Sequence, residues 1–281
     1  NHLAMTLEAV SRGADLVMWS ESSVPLRGGL EADPSTRAML AQVARLYETT
    51  LVVGSPHYES LPSGEWKGTN ASFLVDAVGE WTMRYDKVHL VPWGEYVPVS
   101  WLFRFATPLV DAVGSFHHGK VEQELFADSG AGIPPFAMAI CYEVVFPNHM
   151  RRQVARGAKF LATITNDAWF GDTSAPYQHF SMAKLRAVET RRYLVRAANT
   201  GISGFVDPWG RVLESTEVNQ SALLLGEVWP SDQATLYVAI GDALPLLCVV
   251  LSLGGVVFCR RRPPSPLGSI AKLTDEDEIK R

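Results

Sequence analysis

Residues 136–165 read FAMAICYEVVFPNHMRRQVARGAKFLATIT. Two short apolar runs, 136–140 and 160–165, flank a segment whose helical pattern stops at Gly157. Runs this short, without alternation, are typical of strands buried on both faces. A helix between two such strands is the connection a parallel pair requires. The same pattern recurs toward the N-terminus. DLVMW at 15–19 predicts a buried strand, and Leu3, Leu7 and Val10 before it share a helical face ending at Gly13. Asp33-Pro34 predicts the start of a helix whose apolar face is Met39, Leu40, Val43, Leu46 and Tyr47, followed by a strand at 51–54. Residues 71–76 and 80–85 read as a hairpin around Gly79. Phe180, Ala183, Leu185 and Val188 mark another helix, with strands expected at 193–198, 202–206 and 222–228. There is no internal repeat. The order implies an α/β layered domain with a mixed sheet and its chemistry at the strand ends.

The 281 residues are 47% hydrophobic and 20% charged, with a net charge of −5. That excludes a disordered chain, and the acidic balance argues against a nucleic-acid partner held through phosphates. The cysteines are Cys141, Cys248 and Cys259, an odd and scattered set without CxxC, so neither a disulfide framework nor a zinc cluster is expected. No histidine spacing suggests a metal site, His117-His118 being adjacent in a loop, and no glycine loop suggests a nucleotide.

The apolar content is concentrated at one end. Residues 236–258, LYVAIGDALPLLCVVLSLGGVVF, carry only Asp242 as a charge and precede Arg260-Arg261-Arg262. The expectation is a transmembrane helix over 236–259, with 260–281 a cytoplasmic, unstructured tail and the domain before it on the opposite side, the periplasm in a bacterium. If Asp242 caps the helix, the uncharged run is only 16 residues, 243–258, a little short for a span. The start, with neither initiator methionine nor signal peptide, suggests a piece of a longer protein. Residues 97–119 carry Trp101, Leu102, Phe103, Phe105, Leu109 and Val110. They read equally as a helix packed on the core or as a membrane-dipping arm or lid over an apolar substrate.

Three residues after apolar strands or hairpins have the chemistry of a nucleophilic site: Glu21, Lys87 and Cys141. Each alone has a bland reading as a cap, a solvated lysine or a small buried hydrophobe. Together they supply a base, a fixed positive charge and a thiol, which are the needs of a thiolate nucleophile and a developing oxyanion.

With HLVPWGEYVP (89–98), ICYEVVFP (140–147) and TNDAWFG (165–171), this set resembles the carbon-nitrogen hydrolase (nitrilase) superfamily. Within it, residues 1–230 resemble the C-terminal part of the apolipoprotein N-acyltransferase family. The resemblance implies an αββα sandwich over residues 1–232 and a catalytic triad of Glu21, Lys87 and Cys141. It also implies that Glu95 positions the lysine, that Glu143 assists proton transfer or amine binding, and that Tyr142 and Trp169 line the acyl site. Core packing is the alternative for Tyr142 and Trp169. The family's Trp-Pro-Glu is here Trp19-Ser20-Glu21, and its first strand and N-terminal transmembrane bundle lie outside the sequence. The implied reaction needs no cofactor or metal. An acyl chain passes from a membrane phospholipid to Cys141, then to the α-amine of a diacylated apolipoprotein acceptor. The alternatives are a membrane-anchored amidase or nitrilase acting on a small C–N substrate, and a catalytically dead lipoprotein-binding domain.

Overall fold

The computed structural model describes residues 1–24, 28–62, 64, 66–98 and 116–261, with side chains as far as Phe258. Most of the expected arm or lid at 97–119, including the six apolar residues named for it (Trp101, Leu102, Phe103, Phe105, Leu109 and Val110), therefore lies outside the described residues, as do 262–281 of the tail.

Residues Asn1–Ala239 form one unit, and two sheets organise it. In the first, β1 (Leu16–Met18) runs parallel to β2 (Thr50–Ser60), which pairs antiparallel with β3 (Trp66–Val75), and β3 with β4 (Trp81–Asp86). In the second, β6 (Ile133–Ile140), β7 (Leu161–Asn166) and β8 (Leu194–Asn199) are parallel. Antiparallel β5 (Phe126–Asp128) flanks β6, while β9 (Gly204–Val206) and β10 (Val212–Ser215) follow β8.

Alternation along the strands sorts side chains into three cores. Val52 and Leu74 from one sheet meet Phe136, Met138 and Ile140 from the other. Their neighbours Leu51, Val53 and Phe73 point the opposite way, toward helices α1 (His2–Ser11) and α2 (Pro34–Tyr47). Ala137 and Ala139 likewise face away, toward α3 (Pro147–Ala155) and α4 (Ala175–Thr190). The result is helix, sheet, sheet, helix: the single mixed sheet read from the pattern is two sheets, as the resemblance implied.

Helix α2 begins where expected, with Asp33 accepting the N–H groups of Ser35 and Thr36 and Pro34 in the first turn. Its buried face is Leu40, Val43 and Ala44, whereas Leu46 and Tyr47 are exposed. Leu185 of α4 is exposed as well, and Ala187 takes the inward position. Small residues let these helices lie close to a sheet, so the contact face follows alanines that a count of large apolar residues overlooks. The strand expected at 222–228 has no ladder. Leu223 and Leu225 pack on the first core and Val228 on the inter-sheet core, so their burial does not depend on pairing. The pairing falls instead to the wholly exposed Val212–Ser215.

The apolar C-terminal stretch is not one helix. Gly241, at φ 56°, separates α5 (Leu236–Ile240) from α6 (Ala243–Arg261), and Asp242 accepts the N–H of Leu246 through its carbonyl. The uncharged run is thereby cut to its 16-residue form, about 24 Å against about 30 Å of hydrocarbon. Among the described residues, no helix is long and apolar enough to cross a membrane.

Asp128, at the end of β5, ties the two sheets together. One oxygen accepts from the Thr50 hydroxyl at 2.7 Å and the Ala77 N–H at 2.8 Å, the other from the N–H groups of Gly130 and Ala131. Burial alone would raise its pKa, but these donors hold it below the usual carboxylate range. Its stabilisation is therefore present above about pH 4 and lost as pH falls through the lowered folded value. Asp128→Ala is expected to lose about 3 kcal/mol at pH 7. In urea melts the gap to the parent should narrow below pH 4, whereas a gap independent of pH would show that the carboxylate is not the cause.

Candidate active site

Glu21, Lys87 and Cys141 each follow the C-terminal end of a strand, where β1, β4 and β6 stop, the usual site of ligand chemistry in α/β layers. Behind Glu21, Trp19 donates its indole N–H to Thr6 of α1 at 2.8 Å, fixing the strand exit. The chain then crosses β2 at Gly54. A Cβ there would lie 2.5 Å from the Ser20 carbonyl oxygen and 2.9 Å from the Glu21 Cα, so only glycine admits this path.

Lys87 is 1% exposed, and its Nζ donates to Glu21 Oε1 at 3.2 Å and Glu95 Oε1 at 2.9 Å. Glu95 is held in turn by the Val91 N–H on its other oxygen at 2.8 Å. Burial would lower the lysine's pKa, but the negative charges beside it, that of Glu21 first, override this and hold the pKa well above its ordinary range. The lysine is thus a fixed positive charge.

Cys141 follows β6 directly and is buried, with φ 52°, at the start of the 3-10 turn Cys141–Val145. Left-handed backbone costs a non-glycine residue roughly 1–2 kcal/mol. It turns the chain abruptly off the strand end and places the thiol 4.0 Å from the Asn166 carbonyl oxygen. The Asn166 N–H, in turn, donates to Glu21 Oε2 at 2.8 Å, so one residue of β7 touches both acid and thiol. Burial, then the Glu21 carboxylate, pushes the thiol's pKa up to about 12, against the opposing pull of Lys87 and Thr165. The resting thiol is therefore protonated at neutral pH, and a base must take its proton during reaction. Alkylation by iodoacetamide should accelerate about tenfold per pH unit from pH 7 to 10. A plateau near neutrality would contradict this.

The other expected residues fall differently. Glu143 is fully buried, and its carboxylate is occupied by the Tyr85 hydroxyl and the N–H groups of Val88, His89 and Ile140. It ties the segment after Lys87 to the strand before Cys141, and the carboxylate has no face open to an amine. Tyr142 is half-buried, its ring 5.1 Å from that of Phe146 and packed against the inter-sheet core. Trp169, on the turn Ala168–Phe170 just after Asn166 and Asp167, is 80% exposed.

Asn70 of β3 was not signalled by the sequence. Its Nδ2 donates to Glu21 Oε1 and Glu95 Oε1, both at 2.7 Å, setting the two carboxylates about the lysine, and among the described residues its Oδ1 has no hydrogen-bond partner. A polar side chain immediately before the run ASFLV (71–75) was the available cue.

Cys141, Asp167 and His179 hold Sγ, carboxylate and ring-nitrogen atoms within 4.8 Å of one another. That set has soft-cation chemistry. Arg196 already neutralises Asp167 at 3.1 Å, however, and His179 Nε2 is committed to a carbonyl, so hydrogen bonds use the donors.

The carbon-nitrogen hydrolase family matches residues 1–235. The chain is similar to the apolipoprotein N-acyltransferase of Geobacter metallireducens, at 41% identity over 84% of this chain and 44% of that protein. It is similar to that of Pseudomonas paraeruginosa at 35% identity, over 92% of this chain and 49% of that protein. It therefore spans about half the length of these relatives. Among solved structures, an amidase from Nesterenkonia sp. is similar at 25% identity with a TM-score of 0.56, covering 77% of this chain and 78% of that one.

Proposed function

Because this chain belongs to the carbon-nitrogen hydrolase family, we propose that it carries the catalytic site of an apolipoprotein N-acyltransferase. The observation that carries the reading is the buried cluster in which Glu21 and Lys87 meet beside the left-handed Cys141. The names of the relatives supply the acceptor class.

Glu21 takes the thiol proton as Cys141 Sγ attacks an ester carbonyl of a phospholipid. The developing oxyanion is balanced by the Lys87 ammonium and a backbone N–H beside the nucleophile. The intermediate collapses to a Cys141 thioester, and the departing lysophospholipid alkoxide takes the proton from Glu21. The α-amine of a diacylglyceryl-cysteine then attacks the thioester and gives its proton to Glu21. The amide forms, and the released thiolate recovers that proton. Glu95 and Asn70 keep the lysine and Glu21 in register, and Tyr142 and Trp169 contact the acyl chain from the rim.

Residues 236–259 hold this site against a bacterial inner membrane, on its periplasmic face. Supporting this, Leu244, Leu247, Val250, Leu251 and Phe258, spread around α6, are all exposed, an arrangement suited to a non-aqueous surrounding. The full-length protein, phospholipid vesicles and a diacylated lipopeptide should give a triacylated product by gel shift. Cys141→Ala should give none, and product from that variant would refute the reading. The amidase fold neighbour favours one second reading, hydrolysis of a small amide, which release of ammonia without lipopeptide transfer would identify.

A further inference from the structure

The carbonyl of Cys141 has its own buried donor. His179, 6% exposed on α4, directs Nε2 at that oxygen at 3.1 Å, and because a carbonyl only accepts, Nε2 carries the hydrogen. Asp167 Oδ1 lies 2.9 Å from the ring's Nδ1 and also accepts from the Thr165 hydroxyl at 3.1 Å. The second Asp167 oxygen accepts from Arg196 at 3.1 Å, and Arg196 Nε donates to the Ile202 carbonyl. His179, Asp167 and Arg196 are all buried, so the ring's orientation is set from behind by a chain of fixed partners.

The Cys141 carbonyl and the Tyr142 N–H belong to one planar trans peptide and point in opposite directions. Fixing the carbonyl from the α4 side therefore fixes the direction of the Tyr142 N–H. As a donor in the first turn of a 3-10 helix, that N–H has no partner earlier in its own turn. It adjoins the nucleophile, where a tetrahedral oxyanion would form opposite Lys87. We propose that His179 is a positioning residue: by donating to the Cys141 carbonyl it holds the left-handed nucleophile and aims the Tyr142 N–H at the oxyanion. This rests on the thioester reading above, and its test does not need the natural acyl donor.

The test uses two variants of similar size and opposite reach in the full-length protein. In His179→Gln the amide nitrogen occupies the place of Nε2 and still reaches the Cys141 carbonyl. In His179→Asn it occupies the place of Nδ1, beside Asp167 and the Arg196 guanidinium, and does not reach the Cys141 carbonyl. Acylation of Cys141 is read as the nitrophenolate burst with p-nitrophenyl butyrate. His179→Gln should keep the burst rate within about fivefold of the parent, and His179→Asn should lose about 10²-fold, with KM for the ester within about twofold in both. A role confined to holding Asp167 would reverse the order, and equal burst rates in parent and both variants would also overturn the proposal. If phospholipid gives no thioester while the nitrophenyl ester gives this pattern, the donor reading fails and the positioning role stands.

Discussion

Lys87→Met is expected to cost about 3–5 kcal/mol of stability and at least about 10²-fold in acylation rate. The lysine is 1% exposed between Glu21 and Glu95, and removing its charge leaves two buried carboxylates with only Asn70 and backbone donors around them. Two negative charges then face each other in one buried site with no cation to balance them. Urea melts of parent and variant at pH 7 measure the deficit, and a loss below about 1 kcal/mol would contradict the pairing. The rate loss has a separate origin, the missing cation opposite the oxyanion, and appears in the burst even where the variant is fully folded.

Glu21→Gln should move two assays in opposite directions. Acyl transfer should fall by about 10²–10⁴-fold, because the proton of a thiol with a pKa near 12 has lost its acceptor. Alkylation of Cys141 at pH 9, which needs only the thiolate, should instead speed up. The Glu21 carboxylate is one of the two main causes, after burial, that hold the thiol's pKa up, and glutamine removes that charge while keeping the shape. If alkylation slowed together with transfer, Glu21 would be acting on the structure of the site rather than on the proton.

The chemical types of this cluster were legible because each stands just past an apolar run, and strand ends can be read from hydrophobic pattern alone. Glu21, Lys87, Cys141 and Glu95 were singled out that way or by resemblance, and the structure brings them together. Asn70 was not legible: it lies within a strand, and its role arises from the register that sets β3 beside β4 and from the two carboxylates it meets. His179 was equally hidden beside Phe180 on a helix face, since its partner is a backbone carbonyl 38 residues away. Glu143 shows the reverse case. The resemblance implied proton transfer or amine binding for it, whereas its side chain turns back to the strand end and accepts from Ile140. At the C-terminus, composition suggested one continuous helix, but a single glycine at positive φ beside Asp242 breaks it.

Passage of acyl groups through Cys141 is read directly by mass spectrometry of the full-length protein after incubation with phospholipid alone. The expected result is an acyl chain on the Cys141 peptide, released by hydroxylamine and transferred to the amine when diacylated lipopeptide is added. Lipopeptide acylation with Cys141 unmodified throughout, or with the acyl group trapped on another residue, would contradict it.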